Sequence, residues 1–441
     1  VKKFLILTIS LLTGVLMLYG TTFEELYNEN LYKSSSYAQA KLGLESAQVD
    51  MNKIDNFFMP YLGLSFDTIK LGTTGPTSVA GLVFGGLGET EGYKLSFNVN
   101  FLEVWGASVA LSFPFTFNVK DEWNIETPES EDINIRLSRD LTKLDRVERL
   151  NTEASYYDAL SKYYFVQTNI FIDTVEDIFN RHYNEKMIEL SQKELEILQN
   201  KYQASTDEDV KKNIEKQILS AQKTLEGLKS SNASLEYFEY SEELYNQTKN
   251  IVKNLINSNQ NYSKNINERL DLKSLKLKEE ASNIQKNFWF IPYIPFKNVN
   301  LSFSPFKEEN KWSIGIGFEL TILDKGERQL VSNNMKSNFA MLTYDESLKK
   351  VEETVRSLET NNKMLNYDLN INQIDLDNAL DEYNKNVDLY NKGYITREDL
   401  ELSEISLKRA QLTKENTENS LLLNELRIRQ QYYVDIWGDK N

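Results

Sequence analysis

Side chains able to do covalent chemistry are scarce in this chain. Its 441 residues contain no Cys and one imidazole, His182. Cysteine-based zinc, iron–sulfur and thiol chemistry is therefore excluded. A Ser–His–Asp triad would have to use His182, which sits mid-helix among Asn180, Arg181 and Tyr183 and reads as a surface or lumen residue. Gly86-x-Gly88 and Gly315-x-Gly317 lie in strand-like segments, not at strand-to-helix turns, so neither is a dinucleotide fingerprint; no Gly-Lys-Ser/Thr phosphate loop occurs. The reading is of a protein that is not an enzyme and needs no cofactor or metal. With 66 Asp+Glu against 50 Lys+Arg the net charge is −16, which argues against nucleic acid as a partner. Two short acidic segments remain, Thr206-Asp-Glu-Asp209-Val210 and Thr396-Arg-Glu-Asp399-Leu400, with an aromatic run, Phe288 to Tyr293. Taken alone, the acids read as helix N-terminal residues favoured by the dipole, and Gly393 as a helix-ending turn. The aromatic run fits either a belt at a membrane surface or packing where a helix joins a strand.

The elements that position these residues are long helices and short aromatic strands. From Tyr344 apolar residues recur at Leu348, Val351, Val355, Leu358, Leu365, Leu369, Leu376, Ala379, Tyr383, Val387 and Tyr390, with Asn362 and Asn372 filling two gaps. This 4-3 spacing is a heptad seam. No Pro or Gly falls between Gly326 and Gly393, so the helix can hold about 65 residues, roughly 100 Å at 1.5 Å per residue. A second run extends from Leu141 to Tyr202 through Val147, Leu150, Phe171, Val175, Ile178, Leu190 and Leu198. Each run is followed by a break and another helical stretch, about 207–258 and 397–436. Two helical hairpins result.

The strands alternate with period two. Tyr93, Leu95, Phe97, Val99 and Phe101 are separated by Lys94, Ser96, Asn98 and Asn100. Similar patterns run over 107–118, 301–305 and 312–322, the last with Trp312, Ile314, Ile316 and Phe318 against Ser313, Gly315 and Gly317. Strands of about ten residues with small or polar partners suit a transmembrane β-barrel, although a half-buried soluble sheet uses the same alternation. Lys2 and Lys3 before the apolar stretch Phe4 to Tyr19 favour the barrel, because residues 1–20 then read as a secretory signal peptide. A membrane anchor is the alternative, for which the stretch is short.

The helix–strand–helix plan occurs twice. Ile54 to Phe66, around Pro60, resembles Ile284 to Pro292 followed by Leu301-Ser-Phe303; the two acidic segments also correspond. Pro60 to Asp209 is 149 residues and Pro292 to Asp399 is 107, so the first copy carries about 42 more. The expected organisation is a first repeat over 21–260, with an insertion about 70–137 and a turn near 203–209. A second repeat follows over 261–441, with two strands in 299–322 and a turn near 391–399. If both helices flanking a strand block lie on one side of a membrane, the block needs an even number of strands. The second copy supplies two; the first supplies two, or four if 79–87 and 92–102 form an added hairpin.

The segment Gly315 to Arg328, ending in Asp324-Lys-Gly326-Glu-Arg328, resembles the strand-to-helix junction of TolC-like outer-membrane efflux proteins. Tyr390-Asn-Lys-Gly393-Tyr-Ile-Thr-Arg-Glu-Asp399-Leu400 resembles that family's tip turn, while Gln203 replaces the Gly in the first copy and Thr321 stands where a Pro is common. The resemblance covers roughly 23–437. It implies an α+β fold in which a homotrimer closes one outer-membrane β-barrel, continued by an α-helical coiled-coil barrel across the periplasm. It also implies a periplasmic adaptor, an inner-membrane pump and outer-membrane lipid as partners. The function implied is the exit duct of an efflux or type I secretion system. By motif position Asp399 is an aperture acid; the second ring position falls on Leu402, leaving Glu398 or Glu401 to substitute, and Asp209 is a candidate partner for Arg397. Trp289, Phe290, Tyr293 and Trp312 are the candidate membrane-interface aromatics. The competing expectation is a surface-anchored coiled-coil structural or adhesive protein whose strands form a soluble head.

Overall fold

The computed structural model describes residues 22–55, 61–70, 90–104, 107–118, 124–126, 134–141, 144–258, 264–291, 294, 296–304, 311–318 and 327–433. The expected signal peptide, the segment 79–87 and Tyr293 lie outside the described residues. In chain order the elements are α1 (Phe23–Lys33), α2 (Ser35–Asp55), β1 (Tyr61–Lys70), β2 (Thr90–Val104), β3 (Ala107–Asn118), β4 (Asn124–Glu126), β5 (Asn134–Asp140), α3 (Asp145–Ala204), α4 (Glu208–Ala233), α5 (Glu242–Ser258), α6 (Leu270–Asn287), β6 (Phe296–Ser304), β7 (Lys311–Phe318), α7 (Glu327–Asn391) and α8 (Arg397–Gln431). The helical run expected over 207–258 is thus two helices, broken at 234–241. No described helix is long and apolar enough to cross a membrane.

Packing divides the chain into two units, each described separately. One comprises residues 1–42, 160–269 and 347–441; the other comprises 43–159 and 270–346.

The first unit is built on α3. Its Phe171, Val175, Ile178 and Phe179 are buried against Phe23, Leu26 and Tyr27 of α1, Leu244 and Val252 of α5, and Leu426 of α8. Phe23 and Tyr27 both meet the Phe171 ring edge-on, at 5.4 and 5.8 Å between centroids, a favoured aromatic geometry. Farther along α3, Leu190 and Ile197 pack on Ile405 of α8, and Leu198 packs on Ile214 and Ala221 of α4. The partly buried Leu402 touches both clusters, so this position is used for packing. The heptad seam of α7 is occupied as its spacing requires. Val351 and Val355 are buried, and Asn372 fills its gap by donating to Thr417 Oγ1 at 2.8 Å.

The second unit holds the sheet. Strand order is β1-β2-β3-β5-β6-β7, every neighbouring pair antiparallel, with β4 also paired to β3. Strand β5 has no counterpart among the expected strands: Ile135 and Leu137 alternate with Arg136 and Ser138, a short pattern with two arginines. It matters because its pairing with β6, Leu137 opposite Leu301, joins the strands before α3 to those after α6. Helix α6 packs Ala281 against Val147 and Leu150 of α3. Ser274 Oγ donates to Ala154 O at 2.7 Å, and Asn333 of α7 donates to Gln285 O at 3.0 Å.

Candidate functional site

The two helix turns differ although their sequences correspond. After α7, Gly393 adopts φ +76°, which a β-carbon disfavours. Its N–H donates to Tyr390 O and that of Tyr394 to Leu389 O, each at 2.9 Å, the hydrogen-bond pair of a Schellman cap. Thr396 then starts α8 with a capping box. Its Oγ1 accepts from Asp399 N at 3.2 Å, and Asp399 Oδ2 accepts from Thr396 N at 3.2 Å and Thr396 Oγ1 at 2.8 Å. In the first copy α3 runs to Ala204 without a glycine stop, and the cap moves one residue on, to Asp207. Its Oδ1 accepts from Asp209 N at 2.9 Å and Val210 N at 3.3 Å. Asp209 therefore lies in the exposed first turn of α4, with Lys212 at 3.9 Å.

The expected Arg397–Asp209 pair is replaced by another. Arg397 Nε donates to Glu401 within α8 at 2.7 Å. Asp399 Oδ1 instead accepts from Lys201 Nζ, in the last turn of α3, at 2.5 Å. Burial opposes ionisation of Asp399, but the Lys201 ammonium and the Thr396 donors outweigh it and hold the carboxyl below its ordinary range. Glu398 and Glu401 flank it, half-buried. The same α3–α8 seam continues through Leu402 and Ile405 to Arg409, which donates to Glu194 Oε2 at 2.5 Å and Ser191 Oγ at 3.1 Å. Two ion pairs thus bracket an apolar contact and tie the first hairpin to the second.

Sequence reasoning missed a polar cluster in this unit. His182 is not a surface residue: it is 6% exposed, because it falls four residues after Ile178 on the buried stripe of α3. Its ring stacks on Tyr245 at 3.7 Å between centroids and its Nδ1 lies 2.8 Å from Tyr240 Oη. Glu415 of α8 accepts from Tyr245 Oη at 2.6 Å and Lys249 Nζ at 2.8 Å, with His182 Nε2 at 3.7 Å. The His182 imidazole, then the Lys249 and Tyr245 donors, hold the Glu415 carboxyl far below the usual carboxylate range despite its burial. The signal that could have revealed the cluster was the spacing of His182 from Val175 and Ile178.

In the sheet unit, register sorts the faces. Leu62, Val99, Leu111, Ile135, Phe303 and Trp312 form one row across β1, β2, β3, β5, β6 and β7; the next row is Tyr61, Asn100, Ala110, Arg136, Ser302 and Ser313. On the apolar face Ile314 is 71%, Ile316 58% and Leu137 41% exposed. An antiparallel sheet in water covers its apolar face; here these three described residues lie open. Of the expected interface aromatics, Trp289 meets Phe290 edge-on at 6.5 Å, and Phe290 is exposed, while Trp312 stands opposite Phe303 in β7.

No family model matches the chain, and no curated protein matches it by sequence. Solved structures do match. The outer-membrane channel OprN has a TM-score of 0.55 at 11% identity, over 94% of this chain and 90% of that one. The Campylobacter jejuni CmeC outer membrane channel scores 0.54 at 14% identity, over 95% and 87%. The outer membrane protein VceC of Vibrio cholerae scores 0.51 at 15% identity, over 93% and 95%. The chain has the fold of the outer-membrane channels. The resemblance read from Gly315 to Arg328 and from Tyr390 to Leu400 is thus met across nearly the full length, at the level of fold.

Proposed function

We propose that the protein is a channel-tunnel of the outer membrane, the exit duct of a tripartite efflux or type I secretion system. The carrying observation is a sheet that leaves the apolar Ile314, Ile316 and Leu137 exposed and whose outer strands, β1 and β7, have no second neighbour among the described residues. Open edges cannot sit in lipid, so the sheet must be closed by copies of itself. On this reading the assembly is a homotrimer. Exposed apolar residues at coiled-coil spacing on α7, namely Met364, Tyr367, Ile371 and Ile374, offer further surface for neighbouring copies. The helices form a periplasmic tunnel whose mouth lies at the hairpin turns, where an adaptor and an inner-membrane pump supply the energy. Asp399, with Glu398 and Glu401, is the candidate aperture acid. The Lys201–Asp399 pair holds the two hairpins of each copy together.

Planar-bilayer recording of the detergent-extracted protein tests the duct. Discrete ion conductance from a folded oligomer is expected. A water-soluble, non-conducting rod would instead support the adhesive reading.

A further inference from the structure

We infer that the β2–β3 hairpin is part of the membrane wall and that the closed barrel has eighteen strand lanes. The inference rests on the trimeric channel reading above and adds the size and composition of its exit.

The first repeat places four lanes in the sheet where the second places two. Strands β4 and β5 both run antiparallel to β3 on the side away from β2. β4 pairs with residues 116–118 and β5 with residues 107–112. They are two pieces of one lane, so the sheet's seven strands make six lanes. By topology β1 corresponds to β6 and β5 to β7, which leaves β2–β3 as the addition.

Three features make the addition wall rather than an excursion outside it. First, β2 turns back into β3 at the helix-facing end. Val104 pairs with Ala107 beside the end of β1 marked by Tyr61 opposite Asn100, and beside the end of β5 that leads into α3. The hairpin therefore returns through the whole height of the sheet. Second, the apolar row from Leu62 to Trp312 passes through Val99 and Leu111 without changing face, as does the polar row through Asn100 and Ala110. A hairpin folded elsewhere has no reason to keep this parity, since a one-residue slip reverses every side chain. Third, the connections divide as outer-membrane barrels require. Two residues separate the ends of β2 and β3 at the helix end; at the far end 71–89 separate β1 from β2 and 119–123 separate β3 from β4.

Closure follows from direction. The six lanes alternate, so β1 and β7 run oppositely, and β7 of one copy can pair antiparallel with β1 of the next. Six lanes in each of three copies make eighteen; without the hairpin there would be twelve. Barrel diameter grows roughly linearly with strand number, and about 16–18 strands enclose an aqueous channel. The exit is therefore about half again as wide as the duplicated plan alone would build. By register, the row assigned to the exit is neutral or basic: positions Tyr61, Asn100, Ala110, Arg136, Ser302 and Ser313.

The lack of native Cys makes every introduced thiol unique. Single substitutions Phe97→Cys, Asn98→Cys, Val99→Cys and Asn100→Cys, with Leu111→Cys and Ser112→Cys, would be labelled in outer membranes. One reagent is a membrane-impermeant charged maleimide, the other an apolar maleimide. The expected pattern has period two: Asn98, Asn100 and Ser112 react with the charged reagent, and the other three with the apolar one. A panel of double variants would pair Leu64→Cys, Ser65→Cys or Phe66→Cys with Ile314→Cys, Gly315→Cys or Ile316→Cys. Oxidation is expected to give covalent trimers at one register. Native mass of the extracted protein is measured in parallel. A trimer whose β2 and β3 thiols all take the charged reagent would overturn the eighteen-lane wall and leave the trimeric channel standing. Period-two labelling without a β1–β7 bridge at any register would overturn the closure. A soluble monomer would overturn both readings.

Discussion

Lys201 Nζ and Asp399 Oδ1 are 2.5 Å apart although 198 residues separate them in sequence. The pair joins the last turn of α3 to the first turn of α8. Asp399 also completes the capping box of Thr396, so one carboxylate both starts α8 and holds it to the other hairpin.

Neutralising either partner should loosen the turns. Asp399→Asn and Lys201→Met are each expected to raise single-channel conductance, and the double variant should add little to either, as for residues acting as a pair. Because Asp399 is about one-third exposed, global stability should change by less than about 1 kcal/mol. Bilayer recording with a urea titration separates the two effects; an additive double variant would show that the residues act independently.

Gly393 tests the turn by itself. A β-carbon there meets nothing within 4 Å, so the cost of Gly393→Ala is conformational, from φ +76°. It should be about 1 kcal/mol, and Gly393→Asn should cost less, since Asn tolerates the left-handed region. Differential melting of the three proteins checks the order.

Acid should weaken the cluster around Glu415. Its carboxyl is held below the ordinary value of 4.5 by His182, Lys249 and Tyr245. The unfolded chain therefore binds its proton first as pH falls. The stabilisation is complete above about 4.5 and is lost as pH drops from there toward the lower folded value. Glu415→Gln should cost about 1–2 kcal/mol near pH 7, the low end for hydrogen bonds to a charged group, since Glu415 is a third exposed. Urea midpoints measured from pH 7 to pH 3 should fall less steeply in the variant.

Ile314 and Gly315 are adjacent in β7 and lie on opposite faces. Ile314→Lys puts a charge at an exposed position of the apolar face and should cost about 2–4 kcal/mol at mid-membrane depth, reducing heat-modifiable trimer in the outer membrane. Gly315→Ala meets only Asn300, at 3.8 Å, and should assemble normally. Equal yields of the two variants would argue that this face is not in lipid.

Much of the fold was legible because its signals are local. The seam from Tyr344 to Tyr390 needs only neighbours three and four residues apart, and α7 spans Glu327–Asn391 between the two glycines that bracket the seam. The alternation of β2, β3 and β7 likewise survives without knowledge of partners. Strand β5 was missed because seven residues containing Arg136 and Arg139 carry too little alternation to stand out; pairing with β3 and β6 makes it a strand. The helical run over 207–258 was read as continuous because no Gly or Pro marks 234–241, where a turn leads into α5.

The candidate site divides in the same way. Both helix turns, the acid at position 399 and the lack of thiol side chains are readable in the chain alone, since each follows from composition or from contacts within a few residues. It takes the folded arrangement to show that Asp399 meets Lys201, that Arg397 stays within α8, that His182 is buried against Tyr245, and that the sheet has six lanes. Each of these depends on which distant segments the packed helices and paired strands bring side by side, and local periodicity carries no information about that choice.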